Sequence, residues 1–408
     1  MPESSPHSAR YRRNATLAAN AAFIPTGIVT VLLGPLLPTL SARWGLTDTQ
    51  AGELFTAQFA ASTVGVFLSG ALVPRIGYRF AMVLGIVLMA AGVGALPLAT
   101  WPLGLAAVAC WGVGLGVIIP ACNLIVAEVH PERSAAALNI LNFSWSVGAV
   151  ACPFLLAPFQ RRGSAMLYPT LLAGVLLLIA VGLAVMPLPA AAKPTADSPQ
   201  SRRSLFAALT TPLALVLAAL FFLYTGVENS VGGWLASYAK RMASGEGTLW
   251  VTAPSFFYFA LMLGRVLAHP ILRRVRELPL ARGGLILSVG GIVALLAANS
   301  TVGILASASV AGFGLATVYP ITIAMMTRTV GRSSAPVSSV MFALAGLGAA
   351  CVPWLVGFES TAQTSLKMGL GVALAACVVM LLLYLRRWPE AVSPAKAESA
   401  PPASDLVH

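Results

Sequence analysis

The 408-residue sequence predicts an all-α, polytopic membrane protein with twelve transmembrane helices in two pseudo-symmetric bundles of six. Three observations lead there. The first is composition: 58% of residues are hydrophobic and 9% charged, against about 25% charged in a soluble domain, and the mean hydropathy is +0.85. Too few polar side chains exist to cover a globule in water, and so aliphatic a chain is not disordered. The second is the recurrence, twelve times, of an apolar run close to the roughly 20 residues a helix needs to cross a bilayer. The third is an internal repeat at a shift of 200 residues. The 37 glycines and 28 prolines fit as well, since both are commoner in membrane helices than in soluble ones.

The first span, 15–40, follows Arg10, Arg12 and Arg13 and has no small-residue cleavage site behind a short apolar core, so no cleaved signal peptide is expected. Spans at 49–72, 79–99, 103–128, 134–158 and 165–186 complete the first six. The longest break, 187–208, is rich in Pro, Ala and Ser and carries Lys193, Arg202 and Arg203. Beyond it come 211–238, 249–270, 280–299, 302–327, 334–357 and 365–386. The expected organisation is a cytoplasmic N-terminal segment (1–13), an N-terminal bundle (14–186), a cytoplasmic linker (187–208), a C-terminal bundle (209–386) and a disordered cytoplasmic tail (387–408).

Basic residues set the orientation. With both termini in the cytoplasm, eighteen of the 25 Lys and Arg residues fall inside and six outside, with Arg265 left within a span. The formal charge of +12 therefore reports topology in the bilayer, and no nucleic-acid partner is expected. The five cysteines all lie in apolar segments without metal-ligand spacing and are expected as free thiols.

The repeat aligns Gly112, Gly114, Leu115, Pro120, Ser134, Ala135, Gly148, Ala149 and Pro153 with the same residue types at 312, 314, 315, 320, 334, 335, 348, 349 and 353, without a gap. Each pair places span n on span n+6. Parallel six-helix repeats occur in secondary transporters, whose substrate site lies between the repeats near the midplane. The matching glycines are expected to let helix backbones approach closely in lipid, and the matching prolines to bend them.

Polar groups inside spans are costly and therefore informative. Glu228 lies near the middle of span 7 with Asn229 and Ser230, among Gly226, Gly232 and Gly233. Those glycines predict a weakened helix with room beside it. A carboxylate next to an amide suits sugar hydroxyls, and Trp234 suits an apolar sugar face; the competing reading is a glutamate that ties span 7 to a neighbour. Asn123 in span 4, Asn139 and Asn142 one turn apart in span 5 with Trp145 beyond them, and Gln58 in span 2 form a candidate first-half lining. They either bind a ligand or join helices. At the repeat positions of Asn123, Asn139 and Asn142 stand Ile323, Ser339 and Phe342, so the lining is asymmetric. Tyr319 and Tyr258 are second-half candidates. Arg265, after Gly264, is expected to snorkel from the cytoplasmic end of span 8 in a structural or gating role. Glu53 and Glu128 are expected near helix ends, solvated or paired with loop arginines.

There is no Gly-rich phosphate loop, no histidine cluster for a metal and no nucleophile constellation, so neither an enzyme nor a cofactor is expected.

The loop Gly70-Ala71-Leu72-Val73-Pro74-Arg75-Ile76-Gly77-Tyr78-Arg79 resembles the loop signature of the major facilitator superfamily, with Pro74 in the usual acidic position. Within that superfamily the chain most resembles the fucose-permease-like branch of sugar transporters, through Tyr224-x-Gly-x-Glu228 to Trp234, Gly264-Arg265, Tyr319-Pro320, Asn123 and Leu138-Asn139. The resemblance implies the major facilitator fold and a sugar or polyol moved inward by alternating access across a bacterial inner membrane. It implies proton or sodium coupling, with Arg75, Gly77 and Arg79 in a structural or gating role; a monomer is expected because a two-repeat chain needs no partner to form its pathway. One departure bears on coupling. Proton-coupled members of that branch carry acids in spans 1 and 4, where this chain has Asn20, Thr26, Thr30 and Ile119. Glu228 is left as the coupling candidate. A proton-coupled drug or metabolite exporter and a non-transporting membrane sensor remain the alternatives.

Overall fold

A computed structural model describes residues 6–189, 211–242, 247–330, 335–386 and 388. All regular structure among them is helical. The first half comprises α1 (Pro6–Val31), α2 (Leu33–Trp44), α3 (Asp48–Ala95), α4 (Trp101–Val129), α5 (Ser134–Arg161) and α6 (Leu167–Val185). The second comprises α7 (Pro212–Met242), α8 (Ala253–Leu272), α9 (Glu277–Ala297), α10 (Thr301–Leu315), α11 (Val318–Val330), α12 (Ala335–Ala362) and α13 (Leu366–Leu385).

Eleven helical stretches among the described residues are long and apolar enough to cross a bilayer, and one of them, Asp48–Leu98, has 51 residues. That is twice the length of a span. It contains two spans, separated at Gly77, where φ is +81° and ψ 166°. Only glycine adopts such a conformation without strain. The expected twelve spans are therefore present, the second and third joined through this one residue.

Proline explains where other expected spans break. The span read as 15–40 runs through α1 and α2, interrupted at Leu32, because Pro35 has no N–H for the carbonyl of Val31. The span read as 302–327 divides into α10 and α11 ahead of Pro320, which likewise leaves the carbonyl of Ala316 without its helical donor. Most of the linker expected over 187–208 and of the tail expected over 387–408 lies outside the described residues.

The repeat reappears as packing. A methyl group on Gly112 would collide with the backbone of Gln58, and one on Gly312 with that of Phe257. Gly148 presses on Ile24, and Gly348 on Phe222. Equivalent glycines thus hold equivalent helix pairs in the two halves: α4 on α3 and α10 on α8, α5 on α1 and α12 on α7. Small residues substitute here for the apolar driving force that lipid removes.

Span 7 departs from expectation. Its glycines neither unwind nor weaken it, for α7 is one continuous helix of 31 residues. They admit neighbours instead: Val352 against Gly226, the Tyr258 ring against Gly232, and the Phe55 ring against Gly233.

The halves meet mainly at one end of the bundle. Asp48 accepts two hydrogen bonds from Arg241, at 2.7 and 2.5 Å, and one from Ser360 at 2.5 Å. The Thr49 amide donates to Thr361 at 2.9 Å, and Arg161 to Thr248 at 3.2 Å. Nearer the middle, Thr56 donates to the Ala350 carbonyl and Ser255 to that of Val150. Among the described residues no hydrogen bond joins the halves at the end that carries the termini. There, Tyr78–Glu128, Thr16–His130 and Arg328–Glu277 all stay within one half.

Candidate functional site

Glu228 sits midway along α7 and is 9% exposed. Arg265 comes from α8, and its Nη2 lies 3.6 Å from Glu228 Oε2 while donating a 3.2 Å hydrogen bond to Tyr224 Oη. Tyr224 precedes Glu228 by four residues, so helical geometry stacks both on one face of α7. From α11, Tyr319 lies over the Tyr224 ring, with centroids 5.0 Å apart and planes 28° from parallel. Phe221 meets the edge of Tyr319 at 5.6 Å. The Arg265 and Glu228 side chains keep 26% and 12% of their surface accessible.

Arg265 thereby corrects one expectation. It does not snorkel to the helix end: its guanidinium turns into the protein, because a partly buried carboxylate one helix away is a better partner than distant solvent. Gly264 beside it is a packing residue, with Ala316 and Phe313 where a side chain would go. The pair is nearly neutral overall and offers guanidinium donors, carboxylate acceptors and an aromatic platform within a few ångströms. Hydroxyl-bearing ligands use that combination well.

The amides behave differently. Asn123 donates to the Ile119 carbonyl at 2.8 Å, Asn142 to that of Leu138 at 2.9 Å, and Asn229 to that of Thr225 at 2.8 Å. Each closes onto its own helix four residues back. Asn139 and Asn142 are exposed, whereas Asn123 and Asn229 are half-buried. Gln58 is fully buried and donates to the Thr30 carbonyl at 2.8 Å. It ties α3 to α1, while its Oε1 is buried and has no hydrogen-bond partner among the described residues.

Trp234 is enclosed as well. It is fully buried, donates from Nε1 to the Pro353 carbonyl at 2.9 Å and packs on Phe55. Ten residues after Tyr224 in the motif, it belongs to the wall that closes the two halves. Trp145 does face the second half, meeting Tyr258 edge-on at 6.4 Å while donating to Thr30 Oγ1 at 3.3 Å. The structure therefore brings Glu228, Arg265, Tyr224 and Tyr319 together and sets Trp145 and Tyr258 at the junction of the halves. Tyr224 escaped sequence reasoning as a site residue because a tyrosine one turn from a glutamate carries no signal of its own.

In the loop motif, Gly77 supplies the turn already described, and Arg79 reaches the Ala184 carbonyl at 3.5 Å. Glu128 is exposed near the end of α4, as expected, and accepts the Tyr78 hydroxyl at 2.6 Å. Glu53 faces a lateral groove of about 530 Å³ between α3, α4 and α12, shared with Leu105, Cys351 and Trp354.

Comparison with known proteins places these features in context. A profile described as Major Facilitator Superfamily matches residues 19–353. The chain is 25% identical over 359 residues to a glucose/galactose transporter of Brucella abortus, covering 82% of this chain and 85% of that one. Among solved structures it resembles a bacterial homolog of the human lysosomal transporter Spinster in an inward-facing, occupied conformation. That match has TM-score 0.75 and 16% identity and covers 92% and 96% of the two chains. It also resembles the E. coli fucose:proton symporter FucP, with TM-score 0.62 and 16% identity over 92% and 99%.

Proposed function

The chain belongs to the Major Facilitator Superfamily, and from that premise we propose that it imports a sugar or related polyol by alternating access. As a member it is a multi-pass membrane transporter and not an enzyme. The observation that carries the sugar reading is the Glu228–Arg265–Tyr224 cluster with Tyr319 stacked beside it. Neighbouring sugar hydroxyls present a donor and an acceptor together, which a carboxylate and a guanidinium answer in turn. The apolar face of a pyranose packs on an aromatic ring. The kinship with a glucose/galactose transporter points the same way.

Both termini lie in the cytoplasm, on the strength of the eighteen-to-six distribution of basic residues. The end latched by Asp48 and Arg241 is then the outer one, and the site opens inward. Glu228 is the coupling residue: a cation or proton that neutralises it loosens its hold on Arg265, and that exchange is felt by whatever bridges the two. The protein works as a monomer, since both halves of the pathway come from one chain.

The test is uptake by proteoliposomes of a panel of neutral hexoses, pentoses and polyols, with proton and sodium gradients imposed separately. Accumulation of at least one sugar under one gradient is expected. Equal lack of uptake for all of them under both gradients overturns the reading. Glu228→Gln should retain sugar exchange and lose gradient-driven accumulation; a variant that still accumulates sugar removes Glu228 from coupling.

A further inference from the structure

Outside that site, the end that carries the termini holds a second polar cleft, of about 480 Å³. Arg12 of α1 lines it together with His130, Glu132 and Arg133 of the turn between α4 and α5. We propose that this cleft binds a phosphate-bearing anion, held by Arg12 and Arg133 with His130 between them.

Both arginines are exposed, and among the described residues neither guanidinium forms an ion pair or hydrogen bond. Two unengaged guanidinium forks that converge from segments about 120 positions apart are a recognised way to hold phosphate oxygens. His130 is fixed in the wall. Thr16 Oγ1 lies 2.9 Å from the Arg12 carbonyl and 2.8 Å from His130 Nε2. One residue, Thr16, thus ties the Arg12 backbone and the imidazole to each other and holds the cleft's two sides in register. The first turn of α5 begins directly after Arg133 without a side-chain cap, and its amide dipoles add to the positive potential. Glu132 opposes it, but two arginines against one glutamate leave the lining net positive.

Orientation alone does not account for this arrangement. A positive-inside signal needs basic residues near span ends, in no particular geometry. Arg10 and Arg13 satisfy that need and do not line the cleft. The repeat argues likewise: at the positions matching Arg12, His130 and Arg133, the second half has Pro212, Val330 and Ser333. The set of three is peculiar to the first half, although the matching segment of the second half carries Arg332 at the position of Glu132. Its place at the helix ends, where a bilayer's headgroups lie, makes an anionic phospholipid one source of the phosphate and a soluble phosphate ion the other.

The full chain in nanodiscs of phosphatidylcholine, with and without headgroup-labelled phosphatidylglycerol, tests the proposal. Wild type and the double variant R10Q/R13Q should bind the labelled lipid alike. R12Q/R133Q should bind it about thirtyfold more weakly. Equal weakening in both double variants means diffuse surface charge and overturns the site. Glu132→Gln, which removes the opposing charge and leaves both arginines, should tighten binding; unchanged or weaker binding also overturns it. That variant keeps the proposal falsifiable should R12Q/R133Q fail to fold. Inorganic phosphate titrated into nanodiscs with and without the labelled lipid distinguishes the sources. Displacement of the labelled lipid by phosphate identifies a headgroup site, and arginine-dependent phosphate binding without lipid enrichment identifies a soluble anion. Absence of both phosphatidylglycerol and phosphate binding in the wild type ends the idea.

Discussion

In the first half of the molecule the amides of Asn123 and Asn142 fold back onto carbonyls of their own helices, whereas in the second half Glu228 and Arg265 reach toward each other from different helices. The two halves share a scaffold, down to the glycines that press α5 on α1 and α12 on α7. They differ in what their polar side chains do with it. An amide has a short reach and finds an acceptor one turn back at little cost. A carboxylate and a guanidinium in a low-dielectric interior have no such local answer and must find each other. Duplication supplied the frame, and the charged pair made one side of it chemically distinct. Asn229 shows that the distinction lies in residue type, since it adjoins Glu228 and still closes onto Thr225.

Arg265→Ala should break the comparison most severely. It strands a largely buried carboxylate, at about 3–5 kcal/mol. The expected result is a hundredfold or greater loss of transport with a clearly lowered Tm in detergent. The double variant E228Q/R265Q should restore most of the Tm and little of the transport. Recovery of both would make the pair a structural tie only.

Tyr224→Phe removes one hydrogen bond to a charged group and leaves the stack on Tyr319 intact. Transport should fall about tenfold, read as kcat/KM for uptake, with Tm nearly unchanged. An unaltered rate would restrict the site to the ion pair.

Asn123→Ala and Asn142→Ala probe the other side. With one amide N–H of each already engaged one turn back, each should change uptake by less than about threefold. A loss beyond tenfold in either would place the first half in direct contact with substrate and dissolve the contrast between the halves.

A modest effect, on conformation and not on binding, is expected at the latched end. Arg241 is 42% exposed at its side chain, so its pairing with Asp48 is partly screened. Asp48→Asn should shift the balance between outward- and inward-open forms by about two- to fivefold. Alkylation of a single cysteine in place of Ser237, buried toward that end of α7, in a background without the native five reads that shift. Unchanged alkylation would mean that the small-residue packing, and not the ion pair, keeps the end shut.

Much of this was legible in the chain. Apolar runs, basic-residue bias and the 200-residue repeat specify the spans and their pairing, because a bilayer forces every backbone group to be satisfied within a helix. Glu228 stood out for the same reason, as a carboxylate in the middle of a span. The partners did not. Arg265 read as a snorkelling residue because its distance from the helix end is visible in sequence and its distance from α7 is not. Gln58 and Trp234 show the converse: residue type signals the capacity to bind, while only packing shows that both lie enclosed between helices. Gly226, Gly232 and Gly233 looked like weak points when taken with α7 alone, yet each accommodates a side chain from another helix.

The sequence by itself determined a twelve-span membrane protein with a duplicated frame and a carboxylate at its middle, since length, apolarity and periodicity are properties of single segments. Tertiary structure alone decided that Arg265 and Tyr224 gather about Glu228, that Asn123, Asn142 and Asn229 each bond a carbonyl of their own helix, and that the halves are latched at the Asp48 end. Those outcomes depend on contacts between helices distant in the chain, whose geometry is set by packing and not by any local pattern.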